Sequence, residues 1–220
     1  MNIFNWDKYN SNFKLIKKIT NFNKKNKFNY LESGLYNHIR DIFCLTIILI
    51  YYKKNKEKLN ILDYGSNLLT YSNLKNKINT KYFNFSIFDP FSKKNNSSNK
   101  NIQIFKSKKK LKKNWDIINF GSCIQYLQNI NSLNDINFNS TKAILITHTP
   151  ISLSKSYITQ QLNNKNLNQN IHSLKKIEAF FKKKKFEISF KSRNNDNYIS
   201  AKKKYKTYSL NLLFLKKLIN

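Results

Sequence analysis

Five short apolar segments, most of them stopped by turn chemistry, constrain this chain more than anything else in it. They are Leu59–Tyr64 before Gly65, Tyr82–Phe88 before Asp89-Pro90, Asn101–Phe105, Trp115–Phe120 before Gly121-Ser122, and Ala143–Thr147 before His148-Thr149-Pro150. Near-continuous apolar runs of this length are expected of strands covered on both faces, as in a parallel sheet. Helical stretches fit between several of them, Ile124–Ile130 serving as the crossover after the fourth. Upstream, Leu31–Tyr52 carries a helical face of Leu35, Ile39, Ile42, Phe43 and Ile47. Downstream, the amphipathic stretch Ser173–Lys184 leads into Phe186–Phe190 and Tyr208–Leu215, two alternating segments expected as an antiparallel closing pair. The order predicts an α/β fold: a doubly wound, Rossmann-like, mostly parallel seven-stranded sheet with an antiparallel last strand. Residues 1–30, polar and dotted with aromatics, are expected to form an N-terminal helical cap on a domain spanning 31–220. Ligands of such sheets bind beyond the carboxyl ends of the strands.

Composition narrows the function classes. With 220 residues, 40% of them hydrophobic, the chain can bury a core and is no disordered polyelectrolyte. Its net charge of +30 suggests a nucleic-acid partner. Yet the basic residues are almost all lysines, the only arginines being Arg40 and Arg193. Bidentate reading of phosphate or guanine favours arginine. Lys, Asn, Ile, Phe and Tyr are abundant while Gly, Ala, Pro and Arg are scarce, the pattern left by AT-rich codons. A solvated lysine surface with weak, salt-sensitive, non-specific affinity for nucleic acid is the expectation. Cys44 and Cys123, with His38, His148 and His172, match no zinc spacing, so no metal is expected. The N-terminus lacks a signal-peptide layout, and Ile42–Tyr52 is too short to span a bilayer, so a cytoplasmic protein with no transmembrane segment is expected.

The strand ends carry the chemistry. Asp63-Tyr64-Gly65-Ser66-Asn67 places an acid before a glycine turn, as nucleotide-type sites do. A dinucleotide site wants three glycines at fixed spacing so that backbone can approach a pyrophosphate. Here Gly65 stands alone, and a carboxylate at 63 would repel a pyrophosphate. It suits a cationic ligand, such as the ammonium and sulfonium of S-adenosylmethionine. Asn67 can adopt the left-handed backbone that a second glycine would supply. Asp89, ending the second strand, is placed to accept from ribose hydroxyls, with Pro90 beside the adenine. Two acids at consecutive strand ends are informative in a chain with 11 in all. After the fourth strand, Ser122 is expected near the methionine part. Cys123 belongs to the same candidate surface, either as a small buried side chain or as a thiol. Gln125 and Tyr126 are candidate acceptor-binding residues. His148 is a candidate general base on a hydroxyl, the alternative being a capping or packing histidine. Asp116, at the opposite end of its strand, is read as structural.

Taken together, Asp63-Tyr64-Gly65, Asp89-Pro90, Trp115-Asp116, Ser122 with Gln125-Tyr126-Leu127, Thr149-Pro150 and Thr159-Gln160 resemble the class I S-adenosylmethionine-dependent methyltransferases. More narrowly they are similar to a family of methyltransferases often encoded among bacterial surface-polysaccharide genes. The resemblance covers roughly residues 30–217. It implies that Asp63, Gly65, Asp89 and Ser122 contact S-adenosylmethionine. The chain departs from that family at Ser66 and Leu69, which replace glycines, and at His148, which replaces an arginine. The resemblance implies methyl transfer to a small-molecule or saccharide hydroxyl. The alternatives are an RNA methyltransferase, favoured by charge but lacking an Asn/Asp-Pro-Pro-Tyr/Phe segment or a Pro-Cys nucleophile, and a non-catalytic binding protein of the same fold.

Overall fold

The computed structural model describes residues 34–65, 68–76, 78–90, 102–161, 164–194 and 205–217. The expected cap over residues 1–30 and the site candidates Ser66 and Asn67 lie outside them. Helix α1 (Gly34–Lys53) leads into β1 (Leu59–Tyr64), α2 (Leu68–Lys75), β2 (Phe83–Phe88), β3 (Ile102–Phe105), β4 (Ile117–Gly121) and β5 (Ala143–Ser152). The hairpin β6 (Tyr157–Gln161) and β7 (Asn164–Ile171) follows, then α3 (Leu174–Lys183), β8 (Phe186–Asn194) and β9 (Thr207–Lys216).

Seven strands form one sheet in the order β3-β2-β1-β4-β5-β9-β8. Strands β1 to β5 are parallel, and β9 runs antiparallel between β5 and β8. The mostly parallel sheet with an antiparallel last strand is as the sequence predicts. Strand order reverses between β1 and β4, where doubly wound sheets open their ligand crevice.

Alternation along the strands builds two cores. On one face Ile61, Phe83, Phe85, Ile87, Ile117 and Leu145 pack with Phe43 and Ile47 of α1 and with Tyr71 and Leu74 of α2. On the other, Leu62, Phe88, Phe120, Ile144, Ile146 and Phe214 pack with Ile177 and Phe181 of α3. The amphipathic α3 begins at Ser173, whose hydroxyl accepts from the Lys176 N–H as an N-cap. At the far end of β1 and β4, the buried Asp116 carboxylate accepts from the Asn60 N–H at 2.8 Å and pairs with Lys54 at 3.2 Å. This is the structural part expected of it.

Three expectations are revised. The helix expected over Ile124–Ile130 is replaced by 3-10 turns at Ile124–Tyr126 and Ile130–Asp135. The Asn129 side chain accepts from the Asn131 N–H at 3.0 Å, diverting the backbone from helix as asparagine readily does. Strand β5 does not stop at Thr147 but runs on to Ser152 through a register shift between Ile146 and Thr149. Its neighbour β4 ends at Gly121, opposite Thr147, so Pro150 lies on a one-sided stretch of ladder where a missing N–H is tolerated. The β6–β7 hairpin, between β5 and α3, was not expected as strands; its mixed polar sequence has no strong period. Among the described residues no helix is long and apolar enough to cross a membrane.

Candidate functional site

The carboxyl ends of β1, β2 and β4 meet at Gly65. Its N–H donates to the Phe88 carbonyl at 2.8 Å, tying the turn to β2. Its φ is +71°, a left-handed value, and a Cβ built on it would stand 2.8 Å from the Cβ of Cys123. Both conditions admit only glycine here. Cys123 thus packs beneath the turn, 6% exposed. Burial, with Asp63 beside it, pushes its thiol well above the ordinary range. Its burial accords with the small packed side chain of the two readings.

Asp63 is fully enclosed at the end of β1. Its Oδ1 accepts from Asn119 Nδ2 at 2.8 Å, and the two residues are register partners on adjacent strands. In a dry setting the field of a carboxylate is screened far less than in water. The Tyr64 ring turns the other way, into the core between Phe88 and Phe120 at centroid distances of 4.9 and 5.5 Å. Burial holds its phenol protonated, and only its backbone remains at the turn. Asp89 follows β2 with its N–H donated to Phe105 at 3.1 Å; it and Pro90 are half-buried, beside the Gly65 turn.

Ser122 and His148 are clasped together. The Ser122 N–H donates to the Thr147 carbonyl at 2.9 Å, and its hydroxyl donates to the His148 carbonyl at 2.7 Å. Both residues are left-handed, with φ of 52° and 49°. That conformation costs a non-glycine residue roughly 1–2 kcal/mol and persists where the surroundings fix it. Here they do: the His148 N–H donates to Asn211 Oδ1 at 2.9 Å, and Asn211 Nδ2 donates to Ser192 at 3.1 Å. The bulge leaves His148 half-buried within β5, just past the end of its pairing with β4.

Gln125 is buried and donates to the Ser122 carbonyl at 2.8 Å. Tyr126 bonds through its phenol to Gln125 and to Gln169 of β7, while burial pushes that phenol up. The hairpin therefore reaches the site through Gln169. His172, 3% exposed, joins the Leu127 carbonyl at 3.2 Å, and burial lowers its basicity. Among the described residues no group of three or more His, Cys, Asp or Glu could hold a metal ion.

The structure thus gathers Asp63, Gly65, Asp89 and Cys123 around one turn, and Ser122, Gln125, Tyr126 and His148 beside it. Asn119, Gln169 and Asn211 were missed. Asn119 had one signal, a lone polar residue inside an otherwise apolar strand, and Asn211 a weaker one, a polar residue within the apolar run of residues 210–215. Gln169 had none.

No protein-family model and no curated protein sequence matches the chain. Solved structures do. Magnesium protoporphyrin IX methyltransferase (ChlM) from Synechocystis PCC 6803 with bound SAH aligns over 90% of this chain and 94% of that one, with a TM-score of 0.52 at 9% identity. The N-terminal domain of EvdMO1 with SAH bound aligns over 79% and 81%, with a TM-score of 0.51 at 7% identity. A SAM-dependent methyltransferase from Methanosarcina mazei aligns over 77% and 98%, with a TM-score of 0.50 at 10% identity. The fold is that of the class I S-adenosylmethionine-dependent methyltransferases.

Two outcomes follow from this geometry. Gly65→Ala will lower stability by at least about 1–2 kcal/mol, the cost of a left-handed alanine before any clash with Cys123; urea denaturation reads it. His172 titrates lower in the folded chain than its ordinary 6.5. The unfolded chain therefore binds the proton more readily, and the contribution of His172 is full above pH 6.5 and lost as pH falls from there through its folded value. Stability measured across pH 5–8 will fall on the acid side, and His172→Gln will flatten part of that slope.

Proposed function

We propose that this chain is a methyltransferase that uses S-adenosylmethionine, with a hydroxyl of a small molecule or saccharide as its acceptor. The observation that carries the reading is the pairing of two strand-end acids, Asp63 and Asp89, across the Gly65 turn at the switch point of this fold. The residues suit the cofactor. Gly65 leaves its backbone uncovered at the turn, and one acid is buried on the side where a cation would be held. The other acid is half-exposed, where ribose hydroxyls would be met.

When bound, the cofactor supplies an electrophilic methyl group on a sulfonium. The chain's part is to bind and orient. Asp63 would draw the cationic end, Asp89 would accept from the ribose, and Pro90 would border the base. The backbone at Tyr64 and Gly65 would complete the surface; the cofactor-binding candidates Ser66 and Asn67 lie outside the described residues. Gln125 and Tyr126, backed by Gln169, offer neutral donors and acceptors to an uncharged acceptor. His148 would take the proton that the acceptor hydroxyl loses as the methyl group arrives. The EvdMO1 domain was also solved in the presence of SAH and D-fucose, an instance of a sugar presented to this fold.

A second reading, RNA methylation, is favoured by the net charge of +30. Retention on RNA that persists at moderate salt, with methyl incorporation into RNA, would favour it; retention lost with salt would favour the saccharide reading. Calorimetry with S-adenosylmethionine tests the common premise. Saturable binding is expected, weakened about ten-fold or more by Asp63→Ala, as loss of an interaction with a charged group implies. A folded protein that takes up no cofactor at millimolar concentration would leave a non-catalytic binding protein as the better account.

A further inference from the structure

One buried residue at this site has no part in the reading so far. Asn119 stands on β4 in register with Asp63, on the sheet face that Ile117 shares. Its Nδ2 lies 2.8 Å from Asp63 Oδ1 and 3.4 Å from where a side chain on Gly121 would begin, which places the amide at the ligand end of the sheet. Asn119 is 2% exposed and Asp63 fully enclosed. Chemistry fixes which way the amide faces, because the flipped orientation would press two oxygens together at that distance. The other end of the amide, Asn119 Oδ1, is buried and meets no donor among the described residues. A buried acceptor without a donor is destabilising, and an apolar residue, as at Ile117, would avoid the penalty. The donor end is therefore what the position is kept for. A hydrogen bond donated to a carboxylate favours its charged form and fixes its direction.

We propose that Asn119 is a positioning residue, holding the Asp63 carboxylate so that the site distinguishes ligands bearing a cationic amino-acid group from those carrying only the adenosyl thioether. The proposal rests on the cofactor reading given above. It goes beyond that reading by assigning selectivity within the site to a strand residue that need not touch the ligand.

Two probes separate the parts. S-adenosylhomocysteine carries the amino-acid group, and 5′-methylthioadenosine lacks it while sharing the rest. Calorimetric affinities for both are to be measured on the wild type, Asn119→Leu, Asn119→Ser, Asp63→Ala and the Asp63→Ala/Asn119→Leu double variant, with folding checked by circular dichroism. Asn119→Leu is expected to weaken S-adenosylhomocysteine about ten-fold or more and to leave methylthioadenosine within about two-fold. In the Asp63→Ala background the same change is expected to add nothing, the non-additivity of residues acting as one unit. Equal losses for both probes, in whichever Asn119 variant folds, would reduce Asn119 to a packing residue and overturn the proposal. So would additive losses, or a failure of both single variants to fold. A wild type that binds neither probe overturns the cofactor reading itself, and is told apart from these outcomes by the wild-type titration alone.

Discussion

The carboxyl end of the sheet depends on the close approach of Gly65 to Cys123. Three strands converge there, and only a residue without a Cβ lets β1 turn away between β2 and β4. Because the turn is tight, Asp63 is carried down beside Asn119 and sealed from water, while Asp89 stays at the surface on the next strand. One acid becomes a source of field in a dry environment and the other a wet hydrogen-bond acceptor. The difference between them comes from burial, since the two side chains are chemically identical.

Scarcity of glycine shapes the rest of the site. The chain has three glycines, and five described non-glycine residues take left-handed backbone instead: Asn55, Lys56, Ser122, His148 and Lys185. At Lys185 a helix end is involved, and its carbonyl accepts from the Lys217 N–H at 2.8 Å. At Ser122 and His148 the strain sits at the mouth of the site and is held by bonds from Asn211 and between the two residues themselves. A conformation that glycine would supply locally is here imposed by tertiary partners. Direction of the His148 side chain is accordingly a property of β9 as much as of β5.

Strands were legible because each is a short apolar run with a clear stop: β1 coincides with the expected Leu59–Tyr64, and β2, β3 and β4 begin or end within two residues of expectation. The strand-end acids were legible for the same reason, as rare charges at fixed points of that rhythm. What escaped the sequence depends on contacts between distant segments. The Asn119 amide matters only because β4 lies beside β1, and the bulge at His148 exists only against β9. Gln169 sits in a hairpin whose Asn-rich strand has no period to read, and it is joined to Tyr126 only by the fold. Composition was mute on the acceptor. The lysines among the described residues lie largely on exposed positions, and the groups around the Tyr126 turn are neutral.

Everything proposed for this chain turns on whether the Gly65 turn between Asp63 and Asp89 binds an S-adenosyl group. A crystal structure of the protein grown with S-adenosylhomocysteine tests it most directly. The account predicts the adenosyl group over the Gly65 turn, its ribose hydroxyls on the Asp89 carboxylate and its amino-acid end on the side of Asp63 and Ser122. Ligand density elsewhere on the molecule, with this turn unchanged and filled by side chains, would contradict it.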